Sequence, residues 1–273
     1  MDLNTATSPS GPAPGTRSPR IIAVANQKGG VGKTTTTVSV GAAAAELGHR
    51  VLIIDLDPQG NASTGLGINP RSLTSTMYDV IINQIPLDDA IEASIVKNLF
   101  IAPSNLDLAG AEIELVPAMS RESRLKNAIA AVANDFDIVL IDCPPSLGLL
   151  TINAFAAASE VMVPIQCEYY ALEGLGQLLR NVTLVQRNLN PTLEVSTIVL
   201  VMFDARTKLA AQVAKEVRAH FHEKVCRTVI PRTVRLSEAP SFGQPITVYA
   251  PTSRGAIAYR DLALEVAGAR TPV

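Results

Sequence analysis

Nine consecutive residues, Gln27-Lys28-Gly29-Gly30-Val31-Gly32-Lys33-Thr34-Thr35, carry the most legible chemistry in this chain. Glycines at 29, 30 and 32 let the backbone curl until successive N–H groups point inward at an anion. A lysine followed by two hydroxyls then suits a polyphosphate carrying a hard divalent cation. In that reading Lys33 reaches the outer phosphates, the Thr34 hydroxyl holds Mg²⁺, and Thr35 stands near the innermost phosphate. The run departs from the general GxxxxGK[ST] pattern, because Gln27 takes the place of the first glycine and Lys28 follows it. A second lysine at the mouth of the loop cannot easily share a phosphate with Lys33, but it can reach the phosphates of a nucleotide held by a facing subunit. The plain alternative is a glycine-rich turn with an incidental basic residue.

Two acidic stretches complete the constellation: Ile53-Ile54-Asp55-Leu56-Asp57-Pro58-Gln59-Gly60 and Val139-Leu140-Ile141-Asp142-Cys143-Pro144-Pro145. An aspartate that ends an apolar strand is the Walker B arrangement, which makes Asp142 the candidate outer-sphere partner of Mg²⁺. Asp57 lies in a loop able to close over the outermost phosphate and is the candidate for orienting an attacking water. Either aspartate could instead cap a helix or close a turn.

For these residues to meet, each must sit at the carboxyl end of a strand in one sheet. Short β-branched runs at residues 21–26, 51–55, 99–102, 138–142, 161–165, 195–202 and 225–230 read as buried strands. Helices are expected at residues 34–47, ended by Gly48, and at 120–133, 171–190, 208–222 and 255–266. The alternation predicts a doubly wound, mainly parallel α/β sheet flanked by helices, of the P-loop NTPase type, with its ligands at the strand carboxyl ends. Residues 1–20 are rich in Ser, Thr, Pro and Gly and read as a flexible tail; residues 21–273 read as a single domain.

With 273 residues, 47% hydrophobic and 18% charged, the chain has material for one large core. Cys143, Cys167 and Cys226 form neither a disulfide framework nor a CxxC metal site, which points to a reducing, cytoplasmic setting, and Cys143 and Cys167 read as buried structural thiols. No apolar run approaches the ~20 residues that span a bilayer, and the first residues lack the apolar core of a signal peptide. The net charge of −2 hides an asymmetry: between positions 201 and 260 ten Lys or Arg face four acids, a net +6 that leaves −8 elsewhere. Such polarity suits an anionic partner on one face, although a solvated helix surface is the commoner cause of a charge cluster.

Taken together, KGGVGKTT from Lys28, DLDPQGNAS from Asp55, DCPPS from Asp142, FDARTKL and IPRTVRLSEAPSFG resemble the ParA/Soj chromosome-partitioning ATPases of the deviant Walker A class, over roughly residues 21–266. The resemblance implies an ATPase that dimerises around two ATP molecules with Mg²⁺, binds DNA without sequence preference as the dimer, and is stimulated by a ParB-type centromere-binding protein. It implies a cytoplasmic, nucleoid-associated location. It makes Lys28 the signature lysine, Lys33 the phosphate lysine, Thr34 the Mg²⁺ hydroxyl and Asp57 the aspartate needed for hydrolysis. Arg206 and Arg235 match the family's DNA-contacting arginines, and Arg254 is added as a third. Pro231, Arg232 and Thr233 match its base-contacting loop, where many relatives have Asn in place of Thr233; one hydroxyl replaces a carbonyl and an amide there.

Related functions leave other marks. A MinD-like positioning ATPase would carry a basic amphipathic C-terminal helix for the membrane, and the segment from Leu262 to Val273 has no large apolar face with a lysine border. A nitrogenase-like iron protein needs cysteines at a different spacing, and a tyrosine kinase of related fold a C-terminal tyrosine cluster, whereas the five tyrosines here are scattered. A scaffold that only binds ATP is not separable on sequence.

Overall fold

The computed structural model describes residues 19–69, 72–168 and 171–268, without the side chains of Ala171, Glu173 and Gly268. The expected tail therefore lies outside the described residues up to position 18. Arg20, assigned by sequence to that tail, is already the first residue of the sheet, with its guanidinium on Glu160 at 2.9 and 2.7 Å and on the Val266 carbonyl at 2.6 Å.

Eight strands form one sheet: β1 Arg20–Val24, β2 Val51–Asp55, β3 Glu92–Ala93, β4 Leu99–Ala102, β5 Ile138–Asp142, β6 Glu160–Gln166, β7 Glu194–Phe203 and β8 Val225–Pro231. Their order is β3-β4-β2-β5-β1-β6-β7-β8, and every pairing is parallel except β3 with β4. The fold is thus the doubly wound α/β sheet that the alternating pattern predicts. β2 and β5 are buried at every position, as strands covered on both faces must be. The seven predicted strands are present within two residues at each end; the two-residue edge strand β3 is too short to leave a periodic signal.

The helices are α1 Lys33–Glu46, α2 Asn61–Gly65, α3 Leu108–Glu114, α4 Arg124–Val132, α5 Leu149–Ala157, α6 Ala171–Asn188, α7 Lys208–Phe221, α8 Val234–Glu238, α9 Ile246–Tyr249 and α10 Arg254–Gly268. Helix α1 is alanine-rich because it is enclosed: it packs on the sheet and on α10, where Tyr259 places its hydroxyl 3.2 Å from that of Thr36. Gly41 gives it that approach, since a Cβ there would stand 2.9 Å from Ile53 Cδ1. Gly48, at φ +95°, turns the chain out of α1 as the sequence predicts. Two helix boundaries need correction. The helix expected from residue 120 starts at Arg124, because Ser120 takes φ +53° and closes a turn that accepts from the Ser123 N–H at 3.1 Å. The helix expected to reach residue 190 stops at Asn188, and buried Asn190 turns inward to donate to the carbonyls of Phe155 and Ala158 at 2.9 and 2.6 Å.

All three cysteines are free and buried, and burial pushes their thiols up, Cys167 to about 11 and Cys226 to about 12. Among the described residues no helix is long and apolar enough to cross a membrane. The sheet register brings Asp55 and Asp142 side by side, with Val24 on the other flank of Asp142, so the loop after β1 emerges beside both carboxylates.

The close seat of α1 makes a direct prediction. Gly41→Val should lower the free energy of unfolding by about 1–3 kcal/mol through overpacking against Ile53 and Leu140, read as a lower urea midpoint at an unchanged slope.

Candidate functional site

The loop between β1 and α1 is pinned at its base by Asn26, whose side chain donates to the Pro164 carbonyl at 2.7 Å and accepts from the Lys28 N–H at 3.0 Å. Ala25 and Asn26 therefore leave the strand that sequence extends to residue 26. Val31 is buried and anchors the middle of the loop. Gly30 and Gly32 take φ +74° and +81°, which side chains disfavour. A Cβ added at Gly29 or Gly30 would meet nothing within 4 Å, so the inner wall of the loop is open. Immediately afterwards α1 begins, adding its free N–H groups and the positive end of its dipole. The Lys33 ammonium lies 3.4 Å from the Lys28 carbonyl, and burial lowers its pKa against the pull of Asp142, Cys143 and Asp57.

Asp142 is fully buried and accepts from two hydroxyls, Thr34 Oγ1 at 2.7 Å and Thr37 Oγ1 at 3.0 Å. Burial, and then the neighbouring Asp55, push its carboxyl upward. Thr37 was not singled out by sequence reasoning. The signal was the run of four threonines at positions 34–37, which puts β-branched residues where a helix gains nothing from them. Asp55 is equally buried and serves the backbone: it accepts from Ser63 N at 2.9 Å, Ser63 Oγ at 2.8 Å and Asp57 N at 3.2 Å. Those bonds hold the loop that carries Asp57. The Asp57 carboxylate accepts from Gln59 N at 3.0 Å, the turn role weighed from sequence, and also lines the same cavity as Lys33 and Thr34.

That cavity holds about 360 Å³ and is bounded by Gly29, Gly30, Gly32, Lys33, Thr34 and Thr35 on the loop side. A second cavity of about 480 Å³ shares Gly30, Gly32, Thr35, Met202, Leu236 and Pro240 with it and runs out to Pro231, Arg232 and Thr233. The Thr233 hydroxyl is buried without a partner among the described residues. Met202, on the wall of both cavities, takes φ +51°, strain in a non-glycine residue that sequence could not foresee. Lys28 stands apart from both cavities: its ammonium pairs with Glu168 at 2.7 Å, and both side chains are about half exposed.

The residues fit a magnesium nucleotide. The Thr34 hydroxyl donates its hydrogen bond to Asp142, so its oxygen keeps lone pairs for a hard cation. A family model described as an AAA domain matches residues 19–195. The Soj protein of Bacillus subtilis, a sporulation initiation inhibitor, is 57% identical over 248 residues, 91% of this chain and 98% of its own. The chromosome partitioning protein ParA of Caulobacter vibrioides NA1000 is 53% identical over 249 residues, 90% and 93% of the two chains. This chain belongs to the ParA/Soj family of chromosome-partitioning ATPases. Among solved structures, the cobyrinic acid a,c-diamide synthase of Mycobacterium smegmatis, crystallised with an ATP analogue and magnesium, matches with a TM-score of 0.80 at 40% identity, covering 92% of this chain and 97% of its own.

In this ParA/Soj chain the basic segment divides in two. Arg206 and Arg254 meet, with Arg232, around a groove of about 710 Å³ that shares Pro231 and Arg232 with the second cavity. Arg235 lies outside the groove, paired with Glu238 at 3.0 Å, although α8 touches the start of α10 where a Cβ on Gly255 would stand 2.9 Å from Leu236. Other members of the +6 segment serve the fold. Arg260 pairs with Glu46 at 2.6 Å, and the Arg218 guanidinium donates to the Arg227 carbonyl at 3.3 Å, so the charge count overstates the cations free for a ligand.

Removing the Thr37 hydroxyl tests the carboxylate clamp. Thr37→Val leaves one buried oxygen of Asp142 without its donor and should cost about 1–3 kcal/mol of stability, checked by urea unfolding without nucleotide.

Proposed function

We propose that this chain is an ATP-switched DNA-segregation ATPase whose ATP-bound dimer holds DNA without reading its sequence. The observation that carries the reading is a series of shared walls: the glycine loop and Thr34, which is bonded to Asp142, line one cavity, that cavity shares Gly30, Gly32, Thr35, Met202, Leu236 and Pro240 with a second, and the second shares Pro231 and Arg232 with the arginine groove.

In this reading the loop N–H groups and Lys33 hold the phosphates, and Thr34 holds Mg²⁺ with Asp142 behind it in the outer sphere. The second cavity takes the adenine, against Pro231, Arg232 and Thr233, whose unpartnered hydroxyl suits a polar base edge. The Mycobacterium smegmatis neighbour, crystallised with an ATP analogue and magnesium, supports the choice of ligand. The metal supplies charge neutralisation for phosphoryl transfer to water. Asp57, set at the cavity wall by its turn, orients that water, and the products are ADP and phosphate.

Lys28 supplies the dimer contact. A half-exposed ion pair contributes little to stability, so its exchange from Glu168 to the phosphates of a facing subunit is inexpensive. Pairing two subunits joins two patches of Arg206, Arg235 and Arg254, and two tethered patches hold a DNA backbone far more strongly than one. Phosphate contacts of this kind carry no base information. Hydrolysis, stimulated by a ParB-type centromere-binding partner, separates the pair and releases the DNA, which moves or positions the partner's chromosomal or plasmid locus in the cytoplasm on the nucleoid. Helix α10 supports this reading over a MinD-like membrane role, because Tyr259, Leu262 and Val266 are buried in the core shared with α1.

Retention of the purified protein on duplex DNA with ATP, with ADP and without nucleotide tests the switch, with Asp57→Ala holding the ATP state. Only the ATP state should bind, and moderate salt should remove it; binding that ignores nucleotide would refute the switch. Lys28→Ala should retain ATP binding within about twofold and lose ATP-dependent dimers in light scattering. Arg235→Glu should still dimerise, and its DNA affinity should fall, with a salt slope flatter by about one for each DNA phosphate that is no longer neutralised.

A further inference from the structure

The groove lined by Arg206, Arg232 and Arg254 contains an anion of its own. Asp204 follows β7, and its carboxylate takes the Arg206 guanidinium in a two-pronged grip, Nε to Oδ1 at 2.9 Å and Nη2 to Oδ2 at 2.7 Å. The Arg206 backbone N–H donates to the same Oδ1 at 3.0 Å, closing a small turn. Arg232 also acts on this carboxylate, and the cations, Arg206 foremost, hold it down at about 2. It is therefore an anion at every pH near neutrality.

A carboxylate accepting two parallel N–H bonds from a guanidinium uses the donors that a phosphodiester would use. The Arg206 side chain is nonetheless 89% exposed, so its fork is held by Asp204 yet open to an incoming strand. A pair so exposed has a small net stability, which makes exchange of one anion for another cheap without making it free. Asp261 is the other acid on the groove wall, and it has no ion pair with Arg206.

We propose that Asp204 is a built-in competitor for the DNA backbone, occupying the fork of Arg206 in the free protein and holding the affinity of the surface below what its arginines would give. This rests on the reading above that Arg206 meets DNA. A competitor that stays covalently at hand shortens every contact with phosphate, which suits a protein that has to leave DNA once its dimer separates.

Asp204→Asn separates charge from geometry, because the Asn carbonyl oxygen can still accept the Arg206 N–H and keep the turn. Fluorescence anisotropy of a labelled random-sequence duplex, titrated with ATP-bound protein at several salt concentrations, reads the effect. Asp204→Asn should bind about three- to tenfold tighter than the wild type, with a salt slope steeper by about one. Added to Arg206→Ala, the same change should give no gain. A gain of equal size in the Arg206→Ala background would overturn the proposal, because loss of surface negative charge would then explain it. Equal or weaker binding by Asp204→Asn beside a wild type that binds would also overturn it, by making Asp204 an aligner of Arg206. If neither protein binds DNA with ATP, the DNA surface fails and the competitor with it.

Discussion

The carboxylate of Asp142, fully buried at the end of β5, accepts from the hydroxyls of Thr34 and Thr37, while its backbone carbonyl accepts from Leu56 N at 3.0 Å. One residue thus ties the start of α1 to the end of β5 and to the loop that leads to Asp57. A buried carboxylate without donors would cost several kcal/mol, so the two threonines are as much a condition of the fold as of the site. The direction of its shift shows the tension: burial and Asp55 favour the protonated form, and the two hydroxyls oppose them. A cation held through Thr34 would relieve that tension by adding positive charge where the sheet has gathered two acids.

From that clamp the rest of the site follows in space. The glycine loop is suspended between Asn26, bound to the backbone of β6, and the first turn of α1. Asp55 spends its carboxylate on Ser63 and on the Asp57 N–H, and Ser63 Oγ in turn accepts from Ser104 N at 3.1 Å, which carries the connection to the end of β4. On the far side, Arg232 donates its N–H to the Phe203 carbonyl at 3.2 Å and so joins the ends of β7 and β8 between the second cavity and the arginine groove. Pro231 and Arg232 line both the second cavity and the groove, so the two have a common boundary.

The strands were legible because each is a short apolar run bounded by turn residues, and α1 because a glycine, GKT and an alanine run follow β1 directly. Helices α2, α3, α5, α8 and α9 were not anticipated. Four are short; α5, Leu149–Ala157, is apolar on most of its faces and has no stripe to betray it. The phosphate residues were legible for a local reason: glycines that need positive φ and a lysine at the helix start act within nine positions. Thr37, Ser63, Met202, Glu168 and Asp204 were passed over, since each matters only through a neighbour brought to it by folding.

Composition and order alone determined the fold class, the phosphate loop and the two strand-end acids, because backbone curl, strand period and helix initiation are decided within a few residues. What only the tertiary structure decided is partnership. Thr34 meets Asp142 across 108 residues and Lys28 meets Glu168 across 140. Arg206 and Arg254 reach one groove while Arg260 is spent on Glu46. A count of charges assigns no partner to any of them; the register of the sheet and the seat of α10 do, because they set which side chains come within the few ångströms where hydrogen bonds and ion pairs act.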